Sequence, residues 1–201
     1  MRFSPPCAAA SPRPEPRPAT ETERNATVSS EVLPRAAGLE NLPGRPLDER
    51  ELRELVDDLA GRPGLWRQHV AFPEGRRHYA SLHRDEHVDV WLLCWTPEND
   101  TGWHDHDVSS GAVRVVAGAI EENNPRMGGE PRRTVVKEGE SFAFGPDHIH
   151  RLTGVEDASV SIHAYSPPLW RLGQYSVDES GVMRRLSVSY TDELRPPDDP
   201  A

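Results

Sequence analysis

The chain has 201 residues, of which 35% are apolar and 20 are proline, and its formal net charge is −10. This length is enough for one domain with a core of its own. The acidic balance argues against nucleic acids and anionic membrane surfaces as partners, because both are bound through basic patches. No apolar stretch is long enough for a signal peptide or a membrane span. Cys7 and Cys94 lie in unlike surroundings, so we expect free thiols in a reducing cytoplasm.

The two ends of the chain differ in composition from the middle. Residues 1–45 are rich in proline, arginine and glutamate. Such a segment buries too little apolar surface to offset the entropy lost on ordering. We therefore expect a disordered tail there, a single domain over residues 46–190, and a second disordered tail over residues 191–201.

One amphipathic helix is predicted from Asp48 to Ala60. Asp48 and Glu51 have the spacing of a capping box, and Gly61 and Pro63 end the periodic segment. The i, i+3, i+4, i+7 spacing gives the helix one apolar face, made of Leu52, Leu55, Val56 and Leu59.

The rest of the domain has the pattern of short β-strands. The predicted strands span residues 88–95, 112–120, 134–136, 141–144, 155–164 and 181–190. A turn is predicted at Lys137-Glu138-Gly139-Glu140, between two of them. Short strands with turn signals every eight to twelve residues are typical of a sandwich or barrel. The sequence therefore predicts an all-β fold with one or a few helices near its N-terminal side.

A pair of histidines in Gly102-Trp103-His104-Asp105-His106 is the first indication of a site. In a strand, residues two apart point to the same face, so His104 and His106 share a face and Asp105 points away. Imidazoles inside a small barrel need hydrogen-bond partners or a metal. Taken alone, the pair is equally compatible with polar surface histidines.

More histidines follow about forty residues later, in Gly145-Pro146-Asp147-His148-Ile149-His150. This segment comes after the predicted turn and the strand over residues 141–144. Two histidine-bearing strands separated in this way are the layout of a metal site built from neighbouring strands of a barrel. The sequence favours a metal centre on that basis.

The pattern resembles the cupin superfamily, which implies a jelly-roll β-barrel. His104, His106 and Gly118 match the first cupin motif, and Gly139 and Pro146 match parts of the second. Gly111 stands where that motif has a glutamate ligand. A site of neutral imidazoles would leave iron(II) with its full double charge, which favours an anionic chelating substrate such as a thiolate plus an amine.

The resemblance narrows to the cysteine dioxygenase type I family, over roughly residues 50–190. The segments that carry it are Trp91-Leu92-Leu93-Cys94-Trp95, Trp103-His104-Asp105-His106, Ile149-His150-Arg151-Leu152 and Ser161-Ile162-His163-Ala164-Tyr165-Ser166-Pro167-Pro168. The last of these segments is the most specific.

The resemblance implies an iron site on His104, His106 and His150, with His148 as the alternative third ligand. It also implies a hydrogen-bonded chain of Ser161, His163 and Tyr165. These three residues are two apart, so a strand places them on one face. In that arrangement an imidazole orients a phenol toward the substrate or dioxygen.

Two positions depart from the family. Mammalian members have a cysteine, linked to the tyrosine through a thioether, where this chain has Gly111, so Tyr165 is expected to be unmodified. Ser81 stands where cysteine-specific members have an arginine and mercaptopropionate-type members a glutamine. The arginines considered as substitutes are Arg77, Arg84 and Arg151.

The resemblance therefore implies an Fe(2+)-dependent enzyme that adds both atoms of dioxygen to a small thiol. The thiol would be cysteine or a related compound such as 3-mercaptopropionate, and the product a sulfinate. We expect a monomer with no partner beyond the small thiol and dioxygen. The alternatives are a non-catalytic cupin that binds a metal or ligand as a sensor, and a zinc or manganese cupin isomerase, which usually keeps the carboxylate that Gly111 replaces.

Overall fold

The described residues are Leu39, 41–178 and 182–189 of a computed structural model. All of them belong to one unit over residues 32–201, and a second unit, residues 1–31, lies outside them. The two expected tails therefore fall almost entirely outside the described residues. Leu39 is an exception, since it is buried in the core although it precedes the expected domain start at residue 46.

The predicted helix is confirmed as α1, Glu49–Ala60. The Asp48 carboxylate accepts a hydrogen bond from the Glu51 backbone N–H (2.8 Å), and the Glu51 carboxylate accepts one from the Asp48 N–H (3.0 Å). This reciprocal pair is the predicted capping box. Two 3-10 turns follow, Pro63–Leu65 and Arg67–His69. Among the described helices none has the length and apolar character needed to cross a membrane.

Eleven strands are described after the helix. They are β1 His78–Arg84, β2 Asp89–Trp95, β3 Trp103–Asp105, β4 Ser110–Ala117, β5 Ala119–Asn124, β6 Arg132–Lys137, β7 Ser141–Phe144, β8 Arg151–Gly154, β9 Ser159–Ser166, β10 Arg171–Val177 and β11 Met183–Ser189. The predicted all-β fold with an N-terminal helix is confirmed.

The strands form three antiparallel sheets. The five-stranded sheet has the order β1-β2-β9-β4-β7, and the three-stranded sheets have the orders β11-β10-β3 and β6-β5-β8. Isolated bridges between His104 and His150 and between Asp100 and Thr153 connect β3 to the chain around β8. The two small sheets therefore meet at the predicted histidine site.

The five-stranded sheet separates two apolar clusters. On one face, Leu92 and Ile162 pack against Leu52, Val56 and Leu59 of α1. Burying side chains of this kind stabilises the fold by about 1.5–3 kcal/mol each. The other face bounds the second cluster, which includes Trp95, Val113, Ile120, Phe144, Leu152 and Leu172. Alternation along β2 and β9 places neighbouring residues in different clusters.

Gly118 divides the predicted strand 112–120 into β4 and β5. Its φ of +66° is in the left-handed region, and a Cβ there would lie 2.5 Å from Ser159 Oγ. Ser159 Oγ in turn accepts a hydrogen bond from the Ala119 N–H (3.0 Å) and donates one to the Ala119 carbonyl (2.8 Å). The chain therefore passes from one sheet to another at Gly118.

The sequence reading also missed two strands, β1 and β10, and one change of sheet. The predicted turn at residues 137–140 is present, but β6 pairs with β5 and β7 pairs with β4. The turn therefore crosses between sheets instead of closing a hairpin. Cys94 is a buried free thiol, as expected, and Cys7 lies outside the described residues.

We predict that Gly118→Ala lowers the free energy of unfolding by about 2–4 kcal/mol. The left-handed backbone contributes about 1 kcal/mol of this and the overlap with Ser159 the rest. Gly128→Ala is the matched control, because Gly128 has a φ of +69° with no atom within 4 Å of the added Cβ. Urea denaturation of both variants measures the difference. Equal losses in the two variants would show that packing against Ser159 contributes nothing.

Candidate metal centre

Three buried histidines converge where the two small sheets meet. The His104 N–H donates to the His150 carbonyl (2.9 Å), and the His150 N–H donates to the His104 carbonyl (3.0 Å). Residues paired in this way project their side chains to the same face. His106 lies two residues after His104, so its ring points the same way. One nitrogen from each ring lies within 4.8 Å of the other two.

The ring nitrogens indicate how a metal would fit. His104 Nδ1 lies 3.1 Å from the Gly102 carbonyl, and His150 Nδ1 lies 3.0 Å from Glu122 Oε1, so both donate from Nδ1. His150 Nε2 and His106 Nδ1 are buried with no hydrogen-bond partner. Burying such nitrogens without partners is costly. A metal ion with a preference for imidazole fits this donor set.

Two of these imidazoles, those of His106 and His150, are held in the neutral form that binds metals. Burial, followed by repulsion from the neighbouring imidazoles, holds the pKa of His106 well below its ordinary value. Burial also lowers the pKa of His150, to about 3, although the Glu122 carboxylate opposes that shift. Their lone pairs are therefore available at neutral pH without competition from protons.

Glu122 is a site residue that the sequence reading missed. It lies in β5, is buried, and its Oε1 accepts hydrogen bonds from His148 Nε2 (2.8 Å) and His150 Nδ1 (3.0 Å). Burial alone would raise the pKa of Glu122, but these two hydrogen bonds outweigh it and lower that pKa to about 2. The signal available in the sequence was its position two residues after Ile120, which places a carboxylate on a core-facing side of a strand.

The two candidates for the third ligand occupy different places. His150 lies with both His104 and His106, whereas His148 joins a second group with Glu122 and His150. The His148 ring stacks on Phe144 (centroids 5.0 Å apart). The geometry therefore favours His150 over His148 as the partner of the His-x-His pair.

The predicted line of three polar residues on β9 forms one chain of contacts. Ser161 Oγ lies 2.7 Å from His163 Nε2, and His163 Nδ1 lies 3.2 Å from Tyr165 Oη. Trp95 extends the chain, because its Nε1 donates to Ser161 Oγ (2.8 Å). The Tyr165 ring stacks on His106 with 5.2 Å between centroids. The chain thus reaches one of the three converging imidazoles, and Trp95 is a member that the sequence reading missed.

The missing carboxylate at Gly111 has a steric explanation. Gly111 pairs with Tyr165 across β4 and β9. A Cβ at Gly111 would lie 2.4 Å from Phe144 Cζ and 3.1 Å from Tyr165 Cδ1. Phe144 therefore fills the space that a glutamate ligand or a cysteine would need.

The three arginines considered for the substrate carboxylate occupy different places. Arg84 Nη1 lies 2.6 Å from the buried Asp89 carboxylate, and Arg151 pairs with Asp100. Arg77 lies elsewhere: its guanidinium carbon is 5.2 Å from the ring centre of Trp95. Trp95 is the residue that donates to Ser161, so Arg77 packs on the start of the polar chain.

Asp105, between His104 and His106 in the chain, anchors their strand on its other face. It accepts hydrogen bonds from the Gly173 N–H (3.1 Å), Tyr175 Oη (2.6 Å) and two nitrogens of Arg185 (2.7 and 2.9 Å). Burial would raise the pKa of Asp105, but the bonds from Arg185 and Tyr175 lower it. The carboxylate is therefore ionised and ties β3 to β10 and β11.

The comparisons with known proteins place the chain in a family. Residues 29–178 match the cysteine dioxygenase type I family. The chain belongs to that family. It is 25% identical over 136 residues to cysteine dioxygenase type 1 of Danio rerio, covering 61% of this chain and 67% of that protein. The corresponding enzyme of Bos taurus is 22% identical over 137 residues, covering 62% and 68%.

Solved structures with related folds are more distant. A double-stranded β-helix protein from Klebsiella pneumoniae has a TM-score of 0.44 and 12% identity, covering 59% of this chain and 91% of that one. A cupin superfamily protein from Desulfitobacterium hafniense also has a TM-score of 0.44, with 8% identity and coverage of 51% and 87%.

We predict that the metal-free protein loses stability as the pH falls below about 6.5. His106, His150 and His163 have lowered pKa values in the fold, largely through burial, so unfolding takes up protons and acid favours it. Each contributes up to about 1.4 kcal/mol per pH unit. Burial raises the pKa of Asp89 to about 6, so below that pH unfolding releases about one proton from Asp89. This release offsets the proton uptake of about one of the three histidines.

Chemical denaturation at pH 7.5, 6.0 and 5.0 measures this slope. His163→Gln should reduce the change of the unfolding free energy with pH by the amount that corresponds to about one proton. His69→Gln, in the turn before β1, is the control. A free energy of unfolding that stays constant from pH 7.5 to 5.0 would contradict the neutral assignment of these imidazoles.

Proposed function

We propose that this protein is a non-haem iron(II) dioxygenase that converts a small thiol into a sulfinate. The observation that carries the proposal is the buried cluster of three imidazoles, with no carboxylate among them, beside the Ser161–His163–Tyr165 chain. Membership in the cysteine dioxygenase type I family supports the same reaction class. A protein that only bound a ligand would have no need of a buried hydrogen-bonded phenol next to the metal site.

The site is suited to an anionic sulfur substrate. Iron(II) on His104, His106 and His150 would supply the redox chemistry between the thiol and dioxygen. The sulfur loses four electrons and dioxygen gains four, so no further reductant is required. Because the three imidazoles add no negative charge, the site attracts a thiolate and favours deprotonation of the thiol.

The polar chain on β9 orients the Tyr165 hydroxyl. Trp95 donates to Ser161, and among the described residues His163 Nε2 is the acceptor for the Ser161 hydroxyl. His163 then carries its proton on Nδ1 and donates to Tyr165 Oη. In this order Tyr165 Oη accepts from His163, and the hydrogen of the Tyr165 hydroxyl takes no part in that contact. That hydrogen can position the substrate or a developing oxygen charge.

The arginine positions bear on the choice of thiol. Arg77 packs on Trp95, a member of the second apolar cluster that donates to Ser161 at the start of the polar chain. We propose Arg77 as the cation that receives a substrate carboxylate, in place of an arginine at Ser81. A guanidinium suits a carboxylate because it donates two parallel hydrogen bonds.

The experiment that tests the function is anaerobic loading with iron(II), followed by oxygen uptake with a panel of thiols. Cysteine, 3-mercaptopropionate and cysteamine separate the need for a carboxylate from the need for an amine. The sulfinate product is identified by mass spectrometry. Arg77→Ala should raise the Michaelis constant for the carboxylate-bearing thiols, whereas Arg84→Ala, the control, should not. Iron binding without oxidation of any thiol would favour the sensor alternative instead.

We predict that His104→Ala, His106→Ala and His150→Ala each abolish stoichiometric iron binding, because each removes one of three protein ligands. His148→Ala should keep about one iron per chain. Metal analysis of the four proteins after desalting gives the answer. Retention of iron by His150→Ala together with its loss in His148→Ala would move the third ligand to His148.

We predict that Tyr165→Phe lowers turnover by roughly ten- to a thousand-fold, the scale of a lost acid–base or positioning contact. Iron content and melting temperature should match the wild type, because the ring and its stacking on His106 remain. Steady-state oxygen uptake gives the rate. Turnover equal to that of the wild type would remove the hydroxyl from the mechanism.

A further inference from the structure

We propose that Glu122 is a positioning residue of the metal centre, acting on the metal through the ring of His150. The inference rests on the proposed centre of His104, His106 and His150. Glu122 would fix the orientation of the third imidazole and strengthen it as a ligand. It would also return to the site part of the negative charge that the absence of a ligand carboxylate removes.

The position of Glu122 follows from strand register. β5 pairs with β8, which places Glu122 opposite Leu152, two residues beyond His150. The Glu122 carboxylate is buried, and its Oε1 lies 3.0 Å from His150 Nδ1. With Nδ1 donating to this oxygen, the lone pair of His150 is on Nε2. That nitrogen is buried without a hydrogen-bond partner, and one nitrogen of the His150 ring lies within 4.8 Å of a nitrogen of each of the other two rings.

The charge of Glu122 gives the contact its chemical effect. A carboxylate that accepts a hydrogen bond from a metal-bound imidazole polarises the ring and makes it a stronger donor. The ligand position that would normally carry such a charge is Gly111, where Phe144 excludes any side chain. Glu122 would supply a carboxylate one ring further from the metal, through its hydrogen bond with His150 Nδ1.

His148 holds the same carboxylate from its outer side. His148 Nε2 lies 2.8 Å from Glu122 Oε1, and its side chain keeps 29% of its surface exposed. Glu122 is therefore clamped between an outer and an inner imidazole. In this arrangement His148 supports Glu122 and is not one of the metal ligands. The competing arrangement is a metal bound directly by Glu122, His148 and His150.

The test uses Glu122→Gln and Glu122→Ala, with Glu121→Gln as the matched control. Glu121 precedes Glu122 in the same strand, so its side chain points to the opposite face. Cobalt(II) affinity, measured by competition with a chelator, and the midpoint potential of the iron-loaded protein are the readouts. Neither depends on turnover. Far-UV circular dichroism of the metal-free proteins checks that each variant folds.

We expect Glu122→Ala to weaken cobalt binding by about 10- to 100-fold. Glu122→Gln should recover most of the affinity, because its amide oxygen still accepts from His150 Nδ1. Both variants should raise the midpoint potential of iron, since the negative charge that favours the ferric state is lost. Glu121→Gln should match the wild type in both measurements.

Three results would overturn the inference. One is wild-type affinity and potential in both Glu122 variants. Another is an equal loss of affinity in the Gln and Ala variants with an unchanged potential, which is the signature of a purely structural role. The third is loss of cobalt binding in His148→Asn with retention in His104→Ala, which would place the metal on Glu122 itself. Tight cobalt binding without oxidation of any thiol would instead refute the proposed reaction and leave the role of Glu122 intact.

Discussion

Two backbone hydrogen bonds between His104 and His150 are the constraint on which the site depends. Together with the bridge between Asp100 and Thr153 they join the two small sheets, and they fix the side chains of His104 and His150 on one face at the point of contact. Because peptide groups make the connection, it uses no nitrogen of either imidazole ring. The placement of the two rings is as rigid as the strand pairing around them.

The opposite wall of the site is supplied by the five-stranded sheet. Register across β4, β9 and β2 aligns Gly111 with Tyr165 and Trp91 with His163. The polar chain on β9 therefore lies in the middle of the sheet, with paired strands on both sides. A hydrogen-bonded chain at such a position loses little further entropy when substrate binds, because its side chains are already ordered.

Local patterns in the sequence were sufficient for part of this architecture. The capping box at Asp48 and the two-residue spacing of the ligand pair depend on neighbours in the chain, and the structure has both. The structure also has the predicted line of contacts between Ser161, His163 and Tyr165, which depends on their two-residue spacing in one strand. Its catalytic role remains a prediction, since geometry alone does not test turnover.

The features that sequence reading missed depend on pairing between distant segments. Glu122 contacts His150 only because β5 pairs with β8, and Trp95 reaches Ser161 only because β2 pairs with β9. The break at Gly118 was missed for another reason. Its residues favour strand on both sides, and the close approach of Ser159, forty-one residues later in the chain, makes glycine necessary there. Hydrophobic periodicity carries no information about such contacts.

The packing of Phe144 over Gly111 restricts how this active centre can change during evolution. The Phe144 ring also lies 4.7 Å from that of His106 and 5.0 Å from that of His150, measured between centroids. A lineage that acquires a side chain at position 111 before any change at Phe144 must displace a ring that packs against two of the clustered histidines. Replacement of Phe144 by a smaller residue opens the space beforehand, at the cost of a cavity. The two positions are therefore epistatic, and only one order of substitution avoids an intermediate with a displaced Phe144 ring.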